Sequence, residues 1–152
     1  MGISVLGATA PSDNWEQIAA TNPAATTLNF TGISGYKKLM IFWSCATTPP
    51  SLSSFRFNSD SGTKYTYWSS SLTPTYTTSV THTGLINDYM LLKLQSADNT
   101  NTKEYSLGTD ISAGAAKHSA DGIYQASAAI TSVNIAWATA FNFTVYLYGV
   151  KS

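Results

Sequence analysis

The sequence predicts an all-β protein, an antiparallel β-sandwich of the jelly-roll type. Thr and Ser account for 41 of the 152 residues and aromatic residues for a further 12%, a composition that suits pleated sheets better than helices. No window of about 12 residues carries an apolar stripe at helical spacing, whereas short alternations of apolar and polar residues recur. These alternations lie about 8 to 12 residues apart, between Gly, Pro, Asn and Ser, which is typical of sandwiches and barrels.

The first strands are predicted from residues 28–43. Leu28 and Phe30 alternate with polar neighbours, which indicates a half-buried strand that ends at the Gly32 turn. The next run is apolar at every position from Leu39 to Trp43, so we expect a strand that is buried on both faces. Trp43 is accordingly expected in the core.

Two aromatic pairs predict a hairpin. Phe55 and Phe57 precede the polar segment 58–62, and Tyr65 and Tyr67 follow it. We expect two paired strands joined by a tight turn in which Asn and Asp side chains bond the local backbone and Gly supplies a positive φ.

The same segment, 58–62, also resembles the front half of a calcium-binding loop, since oxygen-bearing side chains stand at alternate positions before a Gly. However, Ser69 stands where such a loop needs a bidentate Glu. A plain turn is therefore the preferred interpretation.

Later strands follow from the same pattern. Residues 89–95 and 104–108 predict two strands separated by a polar turn, and alternation is cleanest over 141–148 near the end of the chain. Residues 68–84 are expected to form a loop or an edge strand, and residues 108–121 a surface loop. In total we expect about eight to ten strands.

The composition argues against several classes of function. Lys plus Arg and Asp plus Glu each number 8, and only 11% of residues are charged against a usual share of about 25%, which argues against a nucleic-acid surface. The chain lacks a basic leader and any apolar stretch near 18 residues, so neither secretory targeting nor a membrane span is expected. Cys45 is the only cysteine, so no internal disulfide is possible.

The length suits one domain. We expect an N-terminal arm over residues 1–14 and a single β-sandwich domain over residues 15–152.

Residues that could perform chemistry are few. His82 and His118 lie in segments without a nucleophile elbow, a phosphate-binding loop or a paired ligand at metal-binding spacing. We therefore predict no catalytic residues, no cofactor and no metal site.

Arg56 is the only arginine in the chain. Its planar guanidinium could bridge a carboxylate, either Asp60 or one on a partner subunit, or it could be a solvated cross-strand residue. Both interpretations stay open at the level of sequence.

Three aromatic residues, Tyr67, Trp68 and Tyr76, are candidates for a contact surface. Aromatic side chains on strands most often pack in a core or an interface, so a subunit contact is the first expectation. A platform that stacks against sugars is the alternative.

The order of five sequence blocks is similar to that in β-sandwich modules of tailed-bacteriophage virion proteins, namely tail fibres and small head decoration proteins. These blocks are WEQIA at 15–19, LNFTGI at 28–33, YKKL at 36–39, FRFNSDSGTKY at 55–65 and YLYGV at 146–150. The resemblance implies a virion component without enzymatic activity, usually a homotrimer.

A capsid decoration (cement) protein suits a short chain better than a tail fibre does. Such a protein would bind the major capsid protein or other virion proteins on the head surface, after synthesis in the host cytoplasm, without contacting nucleic acid or membrane. A receptor-binding or tail-tip module that recognises host surface glycans is the alternative.

The strands also predict assembly, because Thr-rich and Ser-rich edges with few Lys lack the charges that normally prevent edge pairing. The apolar N-terminal residues Ile3, Val5 and Leu6 are expected to pair with an adjacent subunit or with the shell. Together with Arg56 and the three aromatic residues above, they form the predicted interface.

Overall fold

The computed structural model describes residues 14–21, 25–45, 52–68, 75–83, 89–98, 102–110, 119–141 and 143–152. The predicted arm residues Ile3, Val5 and Leu6 lie outside the described residues. No helix in the described ranges is long and apolar enough to cross a membrane.

The described ranges contain twelve β-strands and no helix. The strands are β1 (Glu16–Thr21), β2 (Ala25–Thr31), β3 (Tyr36–Cys45), β4 (Leu52–Phe57), β5 (Tyr65–Trp68), β6 (Thr75–Thr77), β7 (Val80–Thr83), β8 (Tyr89–Gln95), β9 (Lys103–Asp110), β10 (Ser119–Tyr124), β11 (Ser132–Phe141) and β12 (Phe143–Lys151). The prediction of eight to ten strands was too low, because β6, β7 and β10 fall in segments that alternate weakly or not at all.

The strands form two antiparallel sheets that pack as a β-sandwich. One sheet has eight strands in the order β1-β12-β3-β8-β9-β10-β5-β6, and the other has four in the order β2-β11-β4-β7. Both sheets contribute to one core, in which Phe55, Phe57 and Val133 of the smaller sheet meet Ile41 and Val145 of the larger one. The predicted all-β antiparallel sandwich is therefore confirmed.

Strand β12 shows how the alternation positions side chains. Val145 and Leu147 are buried, whereas Thr144, Tyr146 and Tyr148 are half-buried on the opposite face. This is the two-faced strand that the sequence predicts.

Strand β3 departs from the prediction. Leu39 and Ile41 are 2% exposed in the core, but Met40 and Phe42 are only half-buried. Because the second face of β3 is the outer surface of the eight-stranded sheet, the expectation of burial on both faces was wrong. The side chain of Trp43 lies outside the described part of the chain.

The predicted hairpin between β4 and β5 was also wrong. Strand β4 pairs with β11 and β7, whereas β5 pairs with β10 and β6 in the other sheet. The segment 58–62 is thus a crossover between sheets. Within it, Asn58 and Ser59 have positive φ angles of 54° and 55°, so it is not Gly62 that supplies the left-handed conformation.

Side chains hold this crossover in place. Oδ1 of Asn58 accepts a hydrogen bond from the Thr131 backbone N–H at 2.8 Å, and Nδ2 of Asn58 donates to the Ala129 carbonyl at 2.8 Å. Asn tolerates the left-handed region better than most residues, and these bonds fix it there.

The weakly periodic segments are partly strand. Residues 75–83 supply two short strands, β6 and β7, each at the edge of its own sheet. In the segment 108–121, β9 extends to Asp110 and β10 begins at Ser119, while residues 111–118 lie outside the description.

Candidate functional site

An aromatic face covers part of the outer surface of the eight-stranded sheet. It consists of Met40 and Phe42 on β3 and of Tyr146 and Tyr148 on β12. Cross-strand register places Phe42 beside Tyr146 and Met40 beside Tyr148. The rings of Phe42 and Tyr146 lie 6.2 Å apart, and those of Tyr146 and Tyr148 lie 6.3 Å apart and are stacked.

All four side chains of this aromatic face are half-buried. Trp15, which precedes β1, is 40% exposed and lines a groove of about 290 Å³ together with Lys38 and Met40. Aromatic residues and Met are therefore concentrated on this part of the outer surface, and both are enriched in the cores of interfaces.

A different surface lies on the outside of the four-stranded sheet. Register aligns Asn29 of β2, Asn134 of β11 and Arg56 of β4 in one row across three strands. These residues line a groove of about 290 Å³ with Thr27, Ser54 and Ser59, which we call the polar groove.

The amides of the polar groove are joined by directed hydrogen bonds. The Ser59 hydroxyl donates to Oδ1 of Asn134 at 2.9 Å, and Nδ2 of Asn134 donates to Oδ1 of Asn29 at 2.6 Å. Both carbonyl oxygens therefore already accept a bond.

Arg56 is exposed at one end of this row. Its Nε donates to the Thr78 carbonyl at 3.3 Å, which fixes the side chain against the connection between β6 and β7. Asp60, the intramolecular partner considered from sequence, instead forms an ion pair with Lys64 at 3.0 Å. Arg56 therefore points its remaining donors toward solvent and the polar groove.

A second polar cluster surrounds Asp60 and is structural. The carboxylate accepts hydrogen bonds from the Gly62 backbone N–H at 2.8 Å and from the Tyr124 hydroxyl at 2.9 Å. The hydrogen bond from Gly62 is the main influence that holds the pKa of Asp60 below its usual range, and Lys64 and Tyr124 add to it.

The rings next to Asp60 are part of the core. Tyr65 and Tyr124 are stacked with ring centroids 4.7 Å apart, and Phe57 packs edge-on against Tyr124 at 5.4 Å. Burial raises the pKa of Tyr65 to about 12 and raises that of Tyr124 as well. Neither phenol is placed to exchange protons with a substrate near neutral pH.

Lys103 belongs to the same region. It is 0% exposed, its Nζ donates to the Ala126 carbonyl at 2.9 Å, and it lies 6.0 Å from the centroid of the Tyr124 ring. Burial lowers its pKa. Lys103 thus donates a hydrogen bond to a loop carbonyl inside the fold.

The structure separates the residues that the sequence singled out. Arg56 lies on the four-stranded sheet, whereas Tyr76, which is 58% exposed, lies on the edge strand β6 of the other sheet. Tyr67 and Trp68 lie in β5, but their side chains are not described. Arg56 reaches the connection between β6 and β7 through its bond to the Thr78 carbonyl, two residues beyond Tyr76.

The aromatic face was not predicted from the sequence, although the sequence contains a pattern that indicates it. A run that is apolar at every position, as from Leu39 to Trp43, predicts two apolar faces, and only one of them turned out to be core. The polar groove carried no such signal, because Asn29 and Asn134 are separated by 105 residues.

Among the described residues, no group of three or more His, Cys, Asp or Glu side chains is arranged to hold a metal ion. His82 lies in β7 rather than in a loop, and His118 lies outside the description.

Comparisons with protein-family models, with curated proteins and with solved structures find no match to this chain.

Proposed function

We propose that this chain is a structural virion protein of a tailed bacteriophage, a capsid decoration protein that binds the head surface as a homotrimer. It performs no catalysis. Its partners are sister chains and the major capsid protein or another virion protein.

The order of the strands supports a jelly-roll assignment. The larger sheet contains the run β1-β12-β3-β8, and the smaller sheet has the order β2-β11-β4-β7. The chain alternates between sheets from β1 to β4, places β4 beside β7, and then alternates again through β8, β11 and β12. Two linked Greek keys of eight strands have this order, and capsid proteins are among the proteins that use it. Strands β5, β6, β9 and β10 extend the larger sheet.

The observation that carries the proposal is the aromatic face. Four large side chains, Met40, Phe42, Tyr146 and Tyr148, lie side by side on the face of the sheet opposite the core, and each is half-buried. Monomeric proteins rarely expose a contiguous apolar patch of large size, and aromatic residues and Met are enriched where proteins associate.

A second copy of this chain is the occupant that we assign to the aromatic face. The four side chains of the face carry no charge, Lys38 and Lys93 lie at its border beside Met40, and the neighbouring edge strand β1 (Glu16–Thr21) has neither Lys nor Arg to oppose the approach of another sheet. A net charge of zero further reduces repulsion between copies.

Sedimentation velocity tests the self-association. The wild-type protein is expected to sediment with three times the 16.3 kDa of one chain, and the double variant Phe42→Ser with Tyr146→Ser as a folded monomer. Glu104→Ser, an exposed position on β9 of the same sheet, is the matched control and should remain trimeric. A monomeric wild type, or a trimeric double variant, would overturn the assignment of this face.

Quantitative mass spectrometry of purified virions tests the location. A decoration protein is expected at hundreds of copies per particle. A handful of copies would place the chain in the tail, and its absence from particles would refute the virion role.

A further inference from the structure

The two amide oxygens of the polar groove already accept hydrogen bonds. The hydrogen bonds run in one direction, from the hydroxyl of Ser59 to the amide of Asn134 and on to the carbonyl of Asn29. This series of hydrogen bonds therefore ends at Nδ2 of Asn29, a donor for which the described residues supply no partner. Hydrogen bonds arranged in series polarise one another, which strengthens this last donor.

Arg56 adds the only charge of the groove. It lies in the same row as Asn29 and Asn134, and its bond from Nε to Thr78 leaves both Nη atoms available. No Asp or Glu is among the residues that line the groove. Next to Arg56 and Asn29, a group that accepts hydrogen bonds is therefore favoured, and an anionic group is favoured over a neutral one.

The size and lining of the groove narrow the class of ligand further. A volume of about 290 Å³ lies at the lower end of the range for small-molecule pockets. The lining holds hydroxyls, amides, the Arg56 guanidinium, Ile135 and Ala136 but no aromatic ring, so a ligand is held by hydrogen bonds and not by stacking on a ring. A ring that carries several hydroxyls suits such a lining.

We propose that the polar groove binds a carboxylate-bearing saccharide. The carboxylate pairs with the guanidinium of Arg56, Nδ2 of Asn29 donates to a ring or hydroxyl oxygen, and Thr27 and Ser54 exchange hydrogen bonds with the remaining hydroxyls. This site differs from the aromatic surface at Tyr76 that the sequence suggested for sugars, and it is independent of the assembly proposed above.

Two matched probes test the proposal with the full-length protein. Methyl β-D-glucuronide and methyl β-D-glucoside differ only at C6, which is a carboxylate in the first and a hydroxymethyl group in the second. Each sugar is titrated into the protein, and binding is followed in the amide NMR spectrum. The glucuronide is expected to shift the amide signals of Asn29, Arg56 and Asn134 and to bind at least about tenfold more tightly than the glucoside. Sodium acetate, which carries the carboxylate alone, should bind more weakly than the glucuronide.

Variants locate the site. Arg56→Ala and Asn29→Ala should each weaken glucuronide binding at least about fivefold, and Arg56→Lys should restore part of the loss, since it keeps the charge but not the planar fork. Lys93→Ala, which removes an exposed cation from the other sheet, is the control and should bind as the wild type does.

Three results would overturn the proposal: equal binding of glucuronide and glucoside, binding of acetate as tight as that of the glucuronide, or full glucuronide binding by Arg56→Ala. Sedimentation of Arg56→Ala should match the wild type, so loss of the saccharide site and loss of assembly are distinguished.

Discussion

The Tyr124 hydroxyl donates a hydrogen bond to Oδ2 of Asp60 across 2.9 Å, and this bond joins the two sheets. Tyr124 is the last residue of β10 in the eight-stranded sheet, while Asp60 lies in the crossover that leaves β4 of the four-stranded sheet. The crossover cannot shift without breaking this bond.

The first prediction concerns the stability of the fold at low pH. The pKa of Asp60 is lowered in the folded state, chiefly by the hydrogen bond from the Gly62 N–H. The ionised carboxylate therefore stabilises the fold above the unfolded pKa of about 3.9. This stabilisation is lost as pH falls through the lower pKa of the folded state. Asp60→Asn should reduce the free energy of unfolding by about 1 to 2 kcal/mol at pH 7. Urea denaturation should show that this difference from the wild type shrinks below about pH 4.

Asp121→Asn, at an exposed carboxylate in β10, is the control for Asp60→Asn and should change stability by less than about 0.5 kcal/mol. A difference between Asp60→Asn and the wild type that stays constant down to about pH 2.5 would contradict the assignment, because a charge-dependent contribution must vanish on protonation.

The second prediction concerns the stability of the fold at high pH. Tyr65 is fully buried, and its oxygen accepts a hydrogen bond from the Phe57 N–H at 2.8 Å. Burial raises its pKa to about 12 in the folded state, above the unfolded value of about 10. Its stabilisation is therefore complete below pH 10 and is lost as pH rises from 10 to 12.

Tyr65→Phe should cost about 1 to 3 kcal/mol at pH 7, because the Phe57 N–H loses this acceptor. The cost should decline above about pH 10, when the wild type begins to lose the same stabilisation. Tyr76→Phe, at an exposed ring, should change the free energy of unfolding by less than about 0.5 kcal/mol at pH 7. Equal losses from the two variants would mean that burial of the Tyr65 hydroxyl is not the cause.

The third prediction concerns Gly122. A Cβ atom at this position would lie 2.0 Å from the Thr66 carbonyl oxygen and 2.4 Å from the Tyr105 hydroxyl, which itself donates to that carbonyl at 2.9 Å. Because one of the atoms is backbone, the clash cannot be relieved by a side-chain rotation. Gly122→Ala should lower the free energy of unfolding by about 3 kcal/mol in urea denaturation.

Gly62→Ala is the matched control for Gly122→Ala. The nearest atom to its new Cβ is Oδ1 of Asp60, at 3.1 Å, and its φ is not in the left-handed region. We expect a change within about 1 kcal/mol. Gly122→Ala as stable as Gly62→Ala would show that the sheet opens at β10 more easily than the structure indicates.

Local features of this fold could be predicted from sequence, whereas pairings could not. The alternation of Val145 and Leu147 with Tyr146 and Tyr148 fixes the two faces of β12, because side chains in a strand alternate whatever the strand pairs with. Whether β4 and β5 form a hairpin depends on where β10 and β11 lie, and no local pattern contains that information.

The same limit applies to the candidate surfaces. Arg56 could be singled out because it is the only arginine, but its neighbours Asn29 and Asn134 come from strands far along the chain. Phe42 could be recognised as apolar, but its position outside the core follows from the eight-stranded sheet having no described layer over that face.

The last prediction concerns a buried hydroxyl. Thr66 is 2% exposed, and its Oγ1 has no hydrogen-bond partner among the described residues. A buried hydroxyl without a partner costs free energy, and Val has nearly the same shape without the polar atom. Thr66→Val should therefore raise the free energy of unfolding by about 1 kcal/mol in urea denaturation.

Thr77→Val, in the adjacent edge strand β6, should have the opposite effect. Its hydroxyl donates to the Ser79 carbonyl at 2.7 Å, so the same substitution removes a bond that is made and should cost about 1 kcal/mol. The test is whether the two variants change the free energy of unfolding in opposite directions. A loss of stability in both would mean that the Thr66 hydroxyl is satisfied in solution, and the polar atom would then be part of what holds β5 to its neighbours.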